Sequence, residues 1–191
     1  MESTDVLVIG SGIAGLCAAI EAARTGATVA VASAGKTMSG SSFFPGTWGL
    51  GLIGPVDEDD EQDLIDTIQT VGGGVTDPEL VKTFVHGIPQ AIQWLEQDLG
   101  VELQRPQSAA SAQQKQFIPC FDHKTRMWRG LTRKPLEDAC AAQIELLGIR
   151  LLPRHELIDL VEDSNGKIVG AALYDRANEH LVPMAAKATI I

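Results

Sequence analysis

Residues 5–32 read DVLVIGSGIAGLCAAIEAARTGATVAVA and contain the pattern that decides the fold. The run Asp5–Gly10 is apolar without alternation, which predicts a strand buried on both faces, as in a parallel sheet. Residues Ile13–Thr25 place apolar side chains at helical spacing, and Gly26 predicts the end of that helix. The apolar run Ala27–Ala32 predicts a second buried strand. The stretch therefore predicts one β-α-β unit of a parallel sheet.

The turn between the first strand and the helix has the pattern GxGxxG. In such turns the first glycine allows a tight bend, the second lets the backbone approach a diphosphate, and the third lets helix and sheet pack closely. The free N–H groups and positive dipole end of the helix favour phosphate there. The alternative is a glycine-rich turn used only for packing. The pattern predicts dinucleotide binding by Gly10, Ser11, Gly12, Ile13, Ala14 and Gly15.

The second strand does not end in the acidic residue that commonly binds ribose hydroxyls. Ser33 stands there and can make one hydrogen bond in its place. Lys36 would favour a 2′-phosphate and hence NADP, although a single lysine is more often a solvated end. The residues alone therefore leave the identity of the dinucleotide open.

The middle of the chain predicts one long loop followed by two helices. Residues Ser33–Pro55 are rich in Gly, Pro and Ser yet hold large apolar side chains, which predicts an ordered loop that lines a site. The acidic run Asp57–Asp63 indicates a solvated helix start rather than a metal site. Asp77 followed by Pro78 predicts the start of the second helix. The predicted helices are Asp57–Val71 and Pro78–Leu99, the latter with a break near Gly87–Pro89.

The second half of the chain changes to strand periodicity. Asn165-Gly166 between two strand-like runs is a strong hairpin signal. The apolar run Ala185–Ile191 predicts a buried strand, and its abrupt end predicts a fragment of a longer protein. The predicted elements are an irregular stretch at Val101–Phe117, a helix at Arg133–Leu147 and strands at Ile149–Leu152, Glu156–Glu162, Lys167–Tyr174, Leu181–Met184 and Ala185–Ile191.

Charge and composition exclude several classes of function. With 15 Lys and Arg against 25 Asp and Glu, the net charge of −10 opposes binding to nucleic acid or to an anionic membrane. No apolar run approaches the ~20 residues of a membrane span, and the acidic N-terminus is unlike a signal peptide. The three cysteines lack CxxC spacing, which indicates neither a disulfide framework nor a zinc site and favours a reducing cytoplasm. The four histidines are scattered and do not indicate a metal site.

Several segments together resemble the fumarate reductase/succinate dehydrogenase flavoprotein family, which includes L-aspartate oxidase. The opening, residues 5–36, is similar to the FAD-binding start of these proteins, and Ser33 with Gly35-Lys36 is similar to the Ser-Lys-Gly turn of L-aspartate oxidases. The stretch Gly40–Phe44 resembles their Gly-Ser-Thr-Phe-Tyr segment. Further similar segments are Asp77–Val81, Ala91–Leu95, Leu99–Val101, Leu157–Tyr174 and Ala186–Ile191.

The resemblance implies an α/β fold: a Rossmann-like FAD-binding domain with a parallel sheet and a small antiparallel β-meander. Its topology also implies that the strand Ala185–Ile191 lies in or beside the parallel sheet, near the first strand. It implies that residues 1–191 form an incomplete N-terminal FAD-binding domain, without the capping domain that carries the family's substrate-binding residues. The implied parent protein is an FAD-dependent oxidoreductase that passes a hydride between a small dicarboxylate-like acid and flavin. The resemblance adds these cofactor-binding residues: Ser33, Ala34, Gly35, Gly40, Ser41, Ser42 and Leu157.

Departures from the family pattern bear on the flavin. Succinate dehydrogenases have a histidine covalently linked to FAD where this chain has Ser41, so the resemblance implies noncovalent FAD. The family's Ala-Gln-Gly-Gly is replaced by Pro45–Trp48, which puts a large side chain at an expected flavin contact. His123 with Arg126 and Arg129 matches a family segment that would face flavin or substrate. No catalytic residue is assigned from the sequence.

Two interpretations from other classes of protein are left open. One is a module that binds FAD or NAD and performs no catalysis of its own. The other is a subunit whose acidic surface and open sheet edge associate with a partner or with a second copy of the chain.

Overall fold

The structure, a computed structural model, describes residues 2–43, 50–107 and 126–191. The chain divides into two compact units, residues 1–47 with 137–191 and residues 48–136. In chain order the elements are β1 (Glu2–Ile9), α1 (Ile13–Arg24), β2 (Val29–Ser33), a 3₁₀ turn (Ser41–Phe43), β3 (Leu50–Gly54), α2 (Glu58–Val71), α3 (Pro78–Gln93), a π-helical turn (Trp94–Asp98), β4 (Met127–Leu131), α4 (Arg133–Leu146), β5 (Arg150–Pro153), β6 (His155–Glu162), β7 (Ile168–Asp175) and β8 (His180–Ile190).

The first unit is built on a six-stranded sheet with the order β5-β2-β1-β8-β7-β6. Strands β5, β2, β1 and β8 pair in parallel, and β8, β7 and β6 pair as an antiparallel meander. The predicted α/β class, with a parallel sheet and a small antiparallel meander, is therefore confirmed. The predicted β-α-β unit is β1-α1-β2, and the Asn165-Gly166 hairpin joins β6 to β7.

One prediction about the end of the chain is wrong in detail. Leu181–Met184 and Ala185–Ile191 are not two strands but parts of the single strand β8. Its first half pairs with β7 up to Ala185, and its second half pairs with β1 from Met184 onward. A single strand forms because no turn residue separates the two runs. The predicted position of the last residues beside the first strand is confirmed.

Small and branched apolar side chains fill the core of the first unit. All five residues of β2 are buried, which explains why its sequence shows no alternation. Leu7 on β1 is fully buried against β2, and burying a leucine side chain contributes roughly 1.5–3 kcal/mol to the free energy of folding. The cluster joins the parallel strands to the meander through Leu7, Ala30, Ala32, Ala171, Leu173, Met184 and Ala186.

The second unit contains helices α2 and α3 and the two-stranded antiparallel sheet β3-β4. Both predicted helix starts are confirmed. The Asp57 carboxylate accepts a hydrogen bond from the Asp60 N–H at 3.0 Å, and the Asp77 carboxylate accepts bonds from the N–H groups of Glu79 and Leu80. The core of this unit consists of Leu64, Ile65, Val81, Val85 and Ile88.

The predicted break near Gly87–Pro89 is wrong, because α3 continues through Pro89 to Gln93. Proline has no N–H, so the hydrogen bond to the Val85 carbonyl cannot form. Val85 and Ile88 are nevertheless buried in the core of the unit, and their packing holds the helix across the missing bond. The helix ends in a π-helical turn, where the Leu99 N–H donates to the Trp94 carbonyl at 2.9 Å.

The expectation of one long loop over Ser33–Pro55 is also wrong in part. Residues Leu50–Gly54 form β3, which pairs with β4. A Cβ atom on Gly51 would lie 2.2 Å from the indole Nε1 of Trp128, so only glycine allows the ring to pack there. Residues 44–49 lie outside the described residues, and so does most of the Val101–Phe117 stretch.

None of the helices in residues 2–43, 50–107 and 126–191 combines the length and the apolar character that crossing a membrane requires.

Candidate functional site

The glycine loop joins the carboxyl end of β1 to the start of α1. Gly10 has a φ of +110°, which favours glycine, and its N–H donates to the Ala32 carbonyl at 2.8 Å. A Cβ atom on Gly15 would lie 2.0 Å from the Gly10 carbonyl oxygen, so the helix can begin this close to the strand only with glycine there. Gly10 allows the tight turn and Gly15 allows the close packing of helix and strand, as the sequence pattern predicts.

Gly12 is free of any such structural requirement. Among the described residues, a Cβ atom added to Gly12 would have only the Cα of Gly40 within 4 Å, at 3.9 Å, and the φ of Gly12 is an ordinary −71°. Gly12 is also the N-cap of α1, which has no side-chain cap and no acidic residue in its first turn. The loop thus leaves open space above a helix N-terminus whose N–H groups and positive dipole end are available to an anion. This arrangement fits a diphosphate group.

The turn that follows β2 lies against the glycine loop. The buried hydroxyls of Ser11 and Ser33 are hydrogen-bonded at 3.0 Å, and Ser33 also donates to the Lys36 carbonyl at 3.3 Å. Ser33 is only 6% exposed, whereas Ala34 and Gly35 are exposed. The surface of this turn is therefore formed by the two residues after the serine, and the Ser33 hydroxyl holds the turn in place from inside.

The third predicted segment also reaches the loop. A Cβ atom on Gly40 would lie 2.8 Å from the Cα of Gly12, so the two backbones are in direct contact. Ser41 and Ser42 begin the 3₁₀ turn that follows, and buried Phe43 anchors it. The predicted residues at 10–15, 33–35 and 40–42 are thus brought together within the first unit.

The other predicted contacts have different outcomes. Leu157 lies on β6 and packs against the core cluster of the first unit, and its contact with the cofactor stays a prediction. The position of β8 agrees with the prediction, because Ile190 lies opposite Val8 and Ile191 therefore reaches the edge where the loop begins. Residues 45–48 and His123 lie outside the described residues.

Arg126 does not support the expectation of a flavin or substrate contact. Its guanidinium is fully buried and pairs with the carboxylates of Asp60 and Asp63 on α2, the latter at 2.7 Å. It also donates to the Thr67 hydroxyl at 3.3 Å. Asp60 is 5% exposed, so the acidic run is not solvated throughout. Sequence reasoning missed this cluster, although residues 60, 63 and 67 share one face of a helix.

The two described cysteines show no sign of nucleophilic chemistry. Burial raises the pKa of the Cys17 thiol and that of the Cys140 thiol to about 11. Both therefore stay protonated near neutral pH, and a thiol is a much weaker nucleophile than a thiolate. Among the described residues, no group of three or more His, Cys, Asp or Glu side chains could hold a metal ion.

The fold and the loop define a Rossmann-like dinucleotide-binding protein. A family model of the FAD binding domain matches residues 5–191, and the chain belongs to that family. It is 30% identical to L-aspartate oxidase of Vibrio cholerae, over 98% of this chain and 36% of that protein. It is 32% identical to L-aspartate oxidase of Halobacterium salinarum, over 99% of this chain and 37% of that protein.

A solved structure with lower sequence identity confirms the fold. The quinol fumarate reductase of E. coli superposes with a TM-score of 0.73 at 21% identity, over 99% of this chain and 32% of that chain. The chain thus spans about a third of the length of these relatives. The predicted resemblance to the flavoprotein group and the prediction of FAD as cofactor are confirmed.

Proposed function

We propose that this chain is the FAD-binding part of a flavin-dependent oxidoreductase whose substrate is a small dicarboxylate-like acid. The observation that carries the proposal is the open space over Gly12 at an uncapped helix N-terminus that has no acidic residue in its first turn. Membership of the FAD binding domain family supports FAD as the group that occupies it. Similarity to two L-aspartate oxidases supports the substrate class.

Three segments would hold the cofactor. The N–H groups at the start of α1 would bind the diphosphate, and the exposed turn after β2 would bind the adenosine side. The contact between Gly12 and Gly40 would orient the segment that leads toward the flavin. Bound FAD would supply the exchange of a hydride with the substrate. The residues proposed for binding are Gly10, Ser11, Gly12, Ile13, Ala14, Gly15, Ser33, Ala34, Gly35, Gly40, Ser41, Ser42 and Leu157.

The cofactor is proposed to be held noncovalently. Ser41 is exposed and carries a hydroxyl where the resemblance places a linking histidine in succinate dehydrogenases. A hydroxyl cannot replace an imidazole in that linkage. We expect acid precipitation of the FAD-loaded protein to leave the flavin in the supernatant, and flavin retained in the washed pellet would contradict a noncovalent site.

The proposed setting is the cytoplasm, with association to a second copy or to a partner subunit at the open sheet edges. The second candidate function is a binding module without catalysis of its own. The observation that favours it is that the chain spans only 36–37% of the two L-aspartate oxidases. Both candidates require FAD binding at the glycine loop, and they differ in whether a longer protein that contains this chain catalyses turnover.

The test of the shared requirement is FAD titration of the wild-type chain and of Gly12→Ala and Gly12→Val, followed by flavin fluorescence. Because the space over Gly12 is open, we expect both variants to fold with unchanged thermal stability when FAD is absent. We expect the alanine to weaken FAD binding and the valine to abolish it, since a side chain there occupies the space of the diphosphate. Equal FAD affinity in all three proteins would show that the loop is only a packing turn.

A further inference from the structure

The described part of the chain neutralises most of its basic side chains internally. The molecule has a net charge of −10, and carboxylates are therefore abundant around its few lysines and arginines. Most basic side chains in residues 2–43, 50–107 and 126–191 are paired with one of them. These pairs are Arg24–Glu21, Lys82–Glu79, Arg105–Glu96, Arg126–Asp60, Arg150–Glu2, Arg176–Glu156 and Lys187–Asp5.

Two exceptions lie next to each other at the carboxyl edge of the parallel sheet. Lys36 and Arg154 are both exposed, and neither makes an ion pair with any described residue. Lys36 belongs to the turn after β2, and Arg154 directly follows β5. Pro153 pairs with Ser33, and the Arg154 N–H donates to the Gly35 carbonyl at 2.9 Å. The two unpaired cations thus belong to one continuous surface.

The backbone of Arg154 is fixed while its side chain is free. Its N–H is bonded to Gly35, and its carbonyl accepts a hydrogen bond from the Arg176 N–H at 2.9 Å. Its φ of +59° lies in the left-handed region that favours glycine. Glycine could make the same two backbone hydrogen bonds, so they do not require an arginine side chain here. What the arginine adds at this edge is therefore its charge.

Nearby carboxylates do not cancel this charge. Glu156 is already paired with Arg176 at 2.5 Å. Asp175 accepts hydrogen bonds from Ala177 and Asn178 and lies 3.8 Å from the His155 ring. The end of β2 and the first turn of α1 carry no acidic residue. Among the charged residues named here, the cations Lys36, Arg154 and Arg176 outnumber the carboxylates Glu156 and Asp175, on a molecule that is acidic as a whole.

We propose that Arg154, with Lys36 beside it, is a positioning residue that draws the FAD diphosphate electrostatically to the glycine loop. The inference rests on the proposed function, because it takes FAD as the ligand. The diphosphate carries two negative charges, which the rest of an acidic surface repels. A local pair of cations raises the rate at which such an anion reaches its site, and salt screens the effect.

The test is the association rate of FAD with the whole chain, measured by stopped-flow quenching of flavin fluorescence at about 20 mM and about 300 mM NaCl. We compare wild type with Arg154→Glu, Arg154→Gln and Arg154→Lys. The control is Lys167→Glu, which reverses another exposed and unpaired cation among the described residues. Lys167 lies beyond the eight-residue strand β6, roughly 26 Å along the strand from Arg154.

We expect Arg154→Glu to slow association on the order of fivefold at low salt, with Arg154→Gln intermediate and Arg154→Lys near wild type. The difference should largely disappear at high salt, dissociation should change little, and Lys167→Glu should resemble wild type. Equal association rates for wild type and Arg154→Glu at low salt would overturn the proposal, as would equal slowing at both salt concentrations. If wild type itself does not bind FAD, the proposed function fails instead.

Discussion

Gly12 and Gly15 belong to the same motif but have different physical tasks. Gly15 is required by the protein, because its missing side chain lets α1 begin against the Gly10 carbonyl. Gly12 is not required by the described residues around it, since a Cβ atom there would make only an ordinary contact of 3.9 Å with the Gly40 Cα. The pattern GxGxxG predicts both residues equally from sequence. The structure separates the glycine that serves folding from the one left for a ligand.

Gly15→Ala should destabilise the folded chain. The new methyl group would lie 2.0 Å from a backbone oxygen that has no flexible side chain to move aside. We expect the free energy of unfolding to fall by about 1–3 kcal/mol, the range for overpacked sites. The measurement is urea denaturation followed by circular dichroism.

Gly87→Ala is the matched control for Gly15→Ala. Gly87 also lies inside a helix, but a Cβ atom there would have no atom of the described residues within 4 Å apart from the backbone of its own helix. We expect this variant to be more stable than wild type by up to about 1 kcal/mol, because alanine restricts the unfolded chain. Equal stability of the two variants would contradict the close approach of Gly15 to Gly10.

At the scale of elements, a buried ion cluster fixes α2 against the start of β4. Arg126 is fully buried, and its partners Asp60 and Asp63 belong to α2. Replacing Arg126 with methionine would leave a buried carboxylate without its cation. We expect Arg126→Met to lower the free energy of unfolding by about 3–5 kcal/mol.

Arg105→Met is the control for that prediction. It removes the Arg105–Glu96 pair, which has a similar N–O distance of 2.8 Å but whose arginine side chain is 55% exposed. The expected loss is below about 1 kcal/mol, because water competes for exposed charges. Similar losses in both variants, measured by urea denaturation, would contradict the assignment of Arg126 to a structural cluster.

Asp5 ties three strands of the first unit together and makes their stability depend on pH. Its carboxylate pairs with Lys187 on β8 and accepts hydrogen bonds from the N–H and hydroxyl of Thr28, just before β2. The ammonium group of Lys187 and the hydrogen bonds from Thr28 hold the pKa of Asp5 well below its usual range. The folded state therefore binds this proton more weakly than the unfolded state.

The stabilisation from Asp5 is complete above the unfolded pKa of about 3.9 and is lost as pH falls from there toward the lowered folded pKa. We expect Asp5→Asn to be less stable than wild type at neutral pH. We expect the difference to shrink below about pH 4. Urea denaturation across this pH range measures it, and a constant difference would argue against the pKa shift as its source.

How far the sequence predicts each element depends on whether the signal is local. The β1-α1-β2 unit, the caps at Asp57 and Asp77 and the Asn165-Gly166 hairpin are local patterns, and the structure contains all of them. The errors arise where distant packing decides. Strand β3 depends on pairing with β4, and α3 passes Pro89 because core packing holds it. The Arg126 cluster joins Arg126 to residues 59 to 66 positions away, beyond the reach of any local pattern.

At the scale of the molecule, the candidate cofactor site lies wholly within the first unit. The three segments at residues 10–15, 33–35 and 40–42 meet there. Their convergence is predictable because the carboxyl ends of parallel strands lie at one edge of the sheet. The unpaired cations Lys36 and Arg154 could not be predicted in the same way. Whether a basic side chain has a carboxylate within reach depends on the whole arrangement of strands.

The 191-residue chain is expected to bind FAD without catalysing turnover of succinate, fumarate or L-aspartate. It spans 36–37% of the length of the two L-aspartate oxidases, and the described residues at the glycine loop provide binding groups rather than acids, bases or nucleophiles. The measurement is a steady-state assay with added FAD and an artificial electron acceptor. Turnover that depends on the wild-type chain and is lost in Gly12→Val would contradict this expectation.

The central claim is that the glycine loop of the first unit holds the diphosphate of FAD. The most direct measurement is a crystal structure of the chain grown with saturating FAD. We predict diphosphate density over Gly12 at the N-terminus of α1, with the adenosine beside Ala34 and Gly35. Density for FAD at any other place, or an empty loop at saturating FAD, would contradict the claim.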